Sequence, residues 1–160
     1  MKIMMVCLGN ICRSPLAEGI LQDKVNARGL DWTVDSAGTS GYHVGELPDS
    51  RSMAIARRHG LDLSYQRSQR FLPEHLAEYD FILAMDTQNY EDILSLCRTP
   101  KEREKVQLIM DYGDDPTVKD VPDPYYGGKD GFSDVYDMLD EATEGFLRTM
   151  MLAEDSDFGL

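Results

Sequence analysis

Cys7, Arg13 and the residues between them carry the densest chemistry in the chain. The stretch Val6-Cys7-Leu8-Gly9-Asn10-Ile11-Cys12-Arg13-Ser14-Pro15 follows an apolar run, Ile3 to Val6. It ends in a helix-start signal, with Ser14 as the expected N-cap and Pro15 at the first helical position. A strand, a tight loop and a helix N-terminus are therefore expected in succession. Backbone N–H groups of such a loop converge on one point, and the helix dipole makes that point attractive to an anion. Arg13 adds a planar fork of donors that matches phosphate geometry. Leu8, Gly9, Asn10, Ile11, Cys12, Arg13 and Ser14 are thus the candidate phosphate-binding residues. Cys7 faces the same anion, and a thiol beside a helix N-terminus and an arginine is expected to ionise readily. A nucleophile in an anion cradle suits phosphoryl capture. The plainer alternative is a buried cysteine after a strand, then an ordinary capped helix. It leaves the second cysteine and the arginine without a role.

The elements that must position this loop follow from the apolar patterning. Lys2 to Val6 is expected as a buried strand, and Pro15 to about Arg28 as a helix closed by Gly29, with Leu16, Ile20, Leu21 and Val25 on one face. Glu18 falls where a carboxylate favours the helix dipole. Trp32 to Ala37 alternates as a second strand, so the first two strands are expected to be parallel with a right-handed crossover. A glycine-punctuated loop follows, Ser36-Ala37-Gly38-Thr39-Ser40-Gly41-Tyr42-His43-Val44-Gly45, placed to overhang the cradle. Asp49 to Gly60 is expected as a helix with His59 as a C-terminal residue, and Pro73 to Glu78 as a short one. Phe81 to Met85 reads as a third strand followed by Asp86, and Thr87 to Leu96 as a helix with Cys97 structural or incidental at its end. Lys101 to Lys105 reads as a charged turn and Val106 to Met110 as a fourth strand. Asp111 to Gly131 is a loop poor in core-forming residues. Phe132 to about Ala153 is an amphipathic helix with a solvated acidic face (Asp134, Asp137, Glu141, Glu144), and Glu154 to Leu160 are expected to fray. Strands alternating with helices imply an α/β fold with a parallel sheet, whose ligands sit beyond the carboxyl ends of the strands.

Composition narrows the function classes. The 160 residues suit one domain, and no apolar run reaches the ~18 residues of a membrane span. No secretory leader is expected at the start, and the three cysteines form neither obvious pairs nor a metal-ligand cluster. A free thiolate fits a reducing, cytoplasmic setting. The formal net charge of −13 argues against nucleic acid and anionic membranes as partners, so attraction to a phosphate must be local to the loop.

The pattern Cys-x5-Arg-Ser is that of cysteine-dependent phosphatases, and the segment CLGNICRSP closely resembles the low-molecular-weight protein tyrosine phosphatases. The resemblance covers nearly the whole chain. It implies a three-layer α/β/α sandwich with a four-stranded parallel sheet in the order 2-1-3-4 and the phosphate-binding loop after strand 1. It implies that Ser36 supports Asn10 of the loop, and that Tyr42 walls the substrate slot; from its loop position alone Tyr42 could equally be an exposed tyrosine. Relatives often carry histidine where this chain has Gln66, which leaves the role of that position open. An acid for the leaving oxygen must come from a loop over the cradle. Asp123 stands out because Pro122 and Pro124 bracket it and fix the backbone. Without the signature loop it would read as a proline-aspartate turn, but Asp-Pro-Tyr-Tyr-Gly matches the general-acid loop of these phosphatases.

The implied reaction hydrolyses phosphotyrosine in proteins through a phosphocysteine at Cys7, with Arg13 and loop amides as clamp, Asp123 as acid and then base, and no cofactor or metal. Leu8, Ile11, Tyr42, Tyr125 and Tyr126 are the expected apolar and aromatic walls for a ring. The closest competing substrate is phosphoarginine; related bacterial protein-arginine phosphatases have threonine at the position of Ile11. Arsenate reductases share the fold but need further redox cysteines, and only Cys97 is available. Sugar-phosphotransferase components would not need Arg13 or the Asp123 loop, a phosphotyrosine-binding module would not need Cys7 and Asp123, and a nucleotide P-loop would need Gly-Lys-Ser/Thr. Family members form a disulfide between the two loop cysteines, which makes Cys7 and Cys12 a candidate redox pair. Packing as a small apolar group is the alternative for Cys12. A monomer is the default for this size and family.

Overall fold

The computed structural model describes residues 1–127 and 130–158. Its centre is β1 (Lys2–Cys7), whose apolar run is covered on both faces, as parallel strands require. Four strands form one parallel sheet in the order β2-β1-β3-β4, with β2 at Thr33–Gly38, β3 at Phe81–Ala84 and β4 at Val106–Leu108. Alternation along β1 sorts the core. Ile3, Met5 and Cys7 face one layer, made by helix α1 (Arg13–Ala27), helix α2 (Ser50–Arg58) and the long helix α6 (Asp130–Phe158). Met4 and Val6 face the other, where Leu76 and Ile93 come from α3 (Pro73–Glu78) and α4 (Thr87–Leu94). The result is a three-layer α/β/α sandwich with the strand order that the family resemblance implies.

Several local features depart from the sequence expectations. Helix α1 starts at Arg13, with Cys12 at its cap position and no side-chain cap bond. Ser14 is therefore inside the first turn, and Pro15 still needs no N–H donor there. Glu18 is buried, one turn further in than the dipole argument requires. Lys101 to Lys105 is not a simple turn: Pro100–Glu104 forms a short helix, α5, capped by Thr99, whose Oγ1 accepts from Glu102 N at 3.1 Å. Thr-Pro followed by acidic residues is the sequence signal for it. The fourth strand ends at Leu108, and Ile109–Tyr112 tightens into a 3-10 turn. The final helix runs Asp130–Phe158, longer at both ends than expected. Its acidic face is partly engaged: Glu144 pairs with Lys24 at 3.3 Å and Arg28 at 2.8 Å, which holds α6 to α1. His59 is the C-cap of α2 and stacks on Tyr136. Cys97 packs against the second core layer.

One glycine positions the site. A Cβ at Gly38, the last residue of β2, would stand 2.7 Å from Leu8 O and 3.1 Å from Asn10 N. Only glycine lets β2 end flush against the loop that leaves β1.

Candidate active site

The loop from Cys7 to Arg13 is built from the outside in. Its carbonyls are tied away from the centre: Cys7 O and Leu8 O accept from the backbone N–H groups of Thr39 and Ser40, each at 2.9 Å, and Ile11 O accepts from Asp49 N at 2.7 Å. Gly9 O and Cys12 O accept from the hydroxyls of Ser68 and Ser52, each at 3.1 Å. In a trans peptide the C=O and the following N–H point in opposite directions. The N–H groups of Leu8, Gly9, Asn10, Cys12 and Arg13 are therefore turned inward. Such a nest, at the N-terminus of a helix, is an anion cradle. Asn10 turns the corner in the left-handed region, φ 56°, where asparagine is among the few tolerated side chains.

Asn10 is held there by its own amide. Its Nδ2 donates to Ser14 Oγ at 2.7 Å and to Ser36 Oγ at 2.9 Å, while its Oδ1 accepts from Gln69 N at 3.0 Å. Ser14 Oγ lies 3.0 Å from Cys7 Sγ. With Asn10 occupying a lone pair of that oxygen, the Ser14 proton is free to point at the sulfur. Behind Asn10 lies a buried polar cluster that includes Gln66. Ser36 Oγ donates to Glu18 Oε1 at 2.8 Å, and Gln66 Nε2 donates to Pro15 O at 2.9 Å. Gln66 thus ties the segment before Ser68 to the first turn of α1 without carrying charge. Burial pushes the Glu18 carboxyl up to about 7, against the opposing effect of hydrogen bonds from Tyr65 and Ser36.

Arg13 is only 3% exposed. Its Nη1 donates to Asp86 Oδ2 at 2.6 Å and to Val121 O at 2.9 Å. Its Nη2 stands 3.8 Å from Asp123 Oδ2. One arm of the fork is anchored and the other faces the cavity. Burial disfavours the guanidinium charge, yet Cys7, Asp86 and Asp123 together more than compensate and hold its pKa above the ordinary value. The loop that carries Asp123 is fastened to the same sheet edge: Val121 N donates to Met85 O at 2.8 Å, and Thr87 N donates to Asp120 Oδ1 at 2.8 Å. Asp123 Oδ1 in turn accepts from Tyr125 N at 3.0 Å, which fixes the carboxylate's angle.

These groups enclose a cavity of about 130 Å³ lined by Cys7, Leu8, Gly9, Ile11, Cys12, Arg13, His43, Asp123 and Tyr125. Cys7, Arg13 and Asp123 are brought together, with Ile11 and Tyr125 as walls. Tyr42 is not: it is 89% exposed and does not line the cavity. His43 takes that wall instead, braced by Glu46 and seated against Gly9, so that the turn through Gly41 and Val44 directs Tyr42 outward. The side chain of Tyr126 lies outside the described residues. Cys12 is buried at the cavity floor, and burial, with Asp49, Cys7 and Asp123 nearby, pushes its thiol up to about 12. Asp86 and His43 are site residues that the sequence reading does not single out. An aspartate directly after a strand of the same sheet edge is the available signal for the first, and no comparable signal marks the second.

Known proteins bear on this geometry. The model of the low molecular weight phosphotyrosine protein phosphatase family matches residues 2–156. A Synechocystis sp. protein, named a candidate low molecular weight protein-tyrosine-phosphatase, is 44% identical over 152 residues, 94% of this chain and 96% of its own length. A crystal structure of a protein tyrosine phosphatase from Entamoeba histolytica, with Hepes in its active site, matches with a TM-score of 0.91 and 35% identity, covering 96% of this chain and 99% of that one. A Drosophila arginine phosphatase matches at 0.88 with 34% identity, covering 94% and 98%.

The buried cluster makes a testable pH prediction. The folded protein keeps the Glu18 proton between the ordinary carboxylate value of 4.5 and about 7, where the unfolded chain releases it. The stability this contributes is complete below 4.5 and is lost as pH rises through about 7. Glu18→Gln stays neutral and should lack that loss. Between about pH 5 and pH 8 the stability difference should move in favour of the variant, by up to about 3 kcal/mol. Urea midpoints at the two pH values measure it, and parallel profiles for the two proteins would contradict the assignment.

Proposed function

The chain belongs to the low molecular weight phosphotyrosine protein phosphatase family, and from that premise we propose that it hydrolyses phosphotyrosine in proteins through a covalent phosphocysteine. The observation that carries the reading is the convergence on one cavity of Cys7, the Nη2 arm of Arg13 and the Asp123 carboxylate. In the first step the Cys7 thiolate attacks phosphorus, the bond to the tyrosine oxygen breaks, and Asp123 gives its proton to the departing oxygen. In the second, Asp123 takes a proton from water, which attacks the phosphocysteine; inorganic phosphate leaves and the thiolate is restored. Arg13 and the inward amides stabilise the equatorial oxygens. Ser14, hydrogen-bonded to the sulfur, steadies it as nucleophile and as leaving group.

Ile11 and Tyr125 give the slot apolar and aromatic walls, which suit a phenyl ring better than a guanidinium. A phosphoarginine substrate is the second reading, supported by the likeness to the Drosophila arginine phosphatase. Rates on matched phosphotyrosine and phosphoarginine peptides discriminate, and faster release from phosphoarginine would overturn the assignment to tyrosine.

Wild-type protein is expected to release phosphate from p-nitrophenyl phosphate without added metal. Cys7→Ser should abolish turnover while still binding inorganic phosphate, and Arg13→Ala should lose both. Asp123→Asn should slow turnover by roughly 10²–10⁴-fold, most for poor leaving groups. Near-normal activity of Cys7→Ser would sink the mechanism.

Cys12 gives the reading a redox side. Both loop thiols are free in the structure; the reading places the protein in a reducing, cytoplasmic setting, where they would stay so. Peroxide would oxidise Cys7 to a sulfenic acid; attack by Cys12 sulfur on it forms a Cys7–Cys12 disulfide and releases water. Burial and its acidic neighbours keep the Cys12 thiol protonated, so Cys12 is not the first oxidised; its place in the same loop is what makes it the proposed resolving thiol. After peroxide and then a dithiol, wild type should regain activity and Cys12→Ser should recover poorly. Equal recovery, with no Cys7–Cys12 peptide by mass spectrometry, would reduce Cys12 to a packing residue.

A further inference from the structure

A second concavity adjoins the catalytic one. Arg51, Ile55 and Arg58 fall on one face of α2 at helical spacing, and with Ala54, Phe132, Ser133 and Gly127 they line a groove of about 440 Å³. The two sites share a border. Arg51 Nη1 donates to Tyr125 O at 3.3 Å, and its guanidinium lies over the rings of Tyr125, 5.3 Å from the centroid, and Phe132, at 4.7 Å. Tyr125 is at the same time a wall of the catalytic cavity.

The two arginines are not equivalent. Arg51 is engaged by Asp49 through Nε at 3.0 Å and Nη2 at 3.0 Å, so its charge is largely answered. Arg58 is exposed, and its side chain has no hydrogen bond or ion pair among the described residues. No carboxylate lines the groove among those residues. In a chain of net charge −13 this is a local reversal of sign beside the reaction centre.

We propose that this groove is a second substrate subsite, which takes an acidic side chain of the same polypeptide that carries the phosphotyrosine, with Arg58 as the residue that recognises it. The proposal rests on the phosphotyrosine reading above and deepens it. Ile55 and Phe132 form an apolar floor on which the methylenes of a glutamate pack, while its carboxylate meets the unanswered guanidinium. Arg51 stands at the catalytic border, and Arg58 is two helical turns away, roughly 10 Å along the axis. That distance is about three residues of extended chain. The recognised acid therefore lies two to four residues from the phosphotyrosine. The rest of the acidic surface repels such a segment, so the groove fixes which way the substrate lies across the enzyme.

A series of phosphotyrosine peptides with Glu, Ala or Lys at single positions two to four residues from the phosphotyrosine tests this. Wild type should favour Glu over Lys at one of these positions by about 2–5-fold in kcat/KM, mostly through KM, as expected of an exposed ion pair. The preference should shrink as salt rises. Arg58→Lys should keep it, Arg58→Ala should lose it and Arg58→Glu should reverse it, all with unchanged hydrolysis of p-nitrophenyl phosphate, which does not reach the groove. Equal rates across the series, or an acidic preference that survives Arg58→Glu, would overturn the subsite while leaving the phosphatase reading intact. Hydrolysis of the small ester but of no phosphotyrosine peptide would overturn both.

Discussion

Arg13 is buried with its charge intact, and the layout of the site follows from how that is possible. A guanidinium taken out of water needs partners of good geometry, or its desolvation costs several kcal/mol. Asp86 supplies a short charged hydrogen bond and Val121 a carbonyl. Neither partner is near Arg13 in sequence. They meet it because β3 lies beside β1, so that the residues following the two strands emerge at one edge of the sheet. Asp86 is used twice: its other oxygen caps α4 by accepting from Asn89 N at 2.7 Å. The pairing that steadies the arginine therefore also starts a helix.

The same arrangement places Asp123, the proposed acid. Val121 bonds to Met85 through its N–H and to Arg13 through its carbonyl, so the segment leading to Asp123 is fixed at both groups. Asp123 Oδ2 then stands 3.8 Å from Nη2 of Arg13, the arm that Asp86 and Val121 leave unengaged. On the opposite side the cradle is kept open by its surroundings: five of its carbonyls are held outward by β2's exit, by Ser68 and by the start of α2. Folding does the work of orienting amide dipoles before any anion arrives, which is the condition for electrostatic stabilisation without reorganisation.

The part of this that is legible in the sequence is the part that is local in sequence. Cys7, the loop and Arg13 lie within one strand–loop–helix unit, and residue type with spacing is enough to place them. The sheet order comes with the resemblance, and the strand and helix patterning agrees with it. What is not legible depends on meetings between distant segments or on the loop's internal geometry. Ser14 reads as an N-cap, but the last residues of the loop are already helical, which turns its hydroxyl to the sulfur. Glu18 reads as a carboxylate answering the helix dipole, but the packing of Gln66 and Ser36 over α1 buries it. Tyr42 and His43 are neighbours in a turn, and only the turn's contacts decide which of them faces the cavity.

The central claim is that Asp86 holds Arg13 in a phosphate-ready orientation. Calorimetric titration of inorganic phosphate into wild-type and Asp86→Asn protein, with folding checked by circular dichroism, tests it most directly. Asparagine keeps the shape and, with Oδ1 on Asn89 N, the helix cap, but it removes the charge and turns an N–H toward Arg13 Nη1 where the carboxylate oxygen accepted. If orientation is what matters, the variant binds phosphate at least about tenfold more weakly, of the order expected for losing one charge-assisted hydrogen bond. If Asp86 merely drains positive charge from the site, the folded variant will bind phosphate as tightly as wild type or more so, and that result would contradict an orienting role for Asp86.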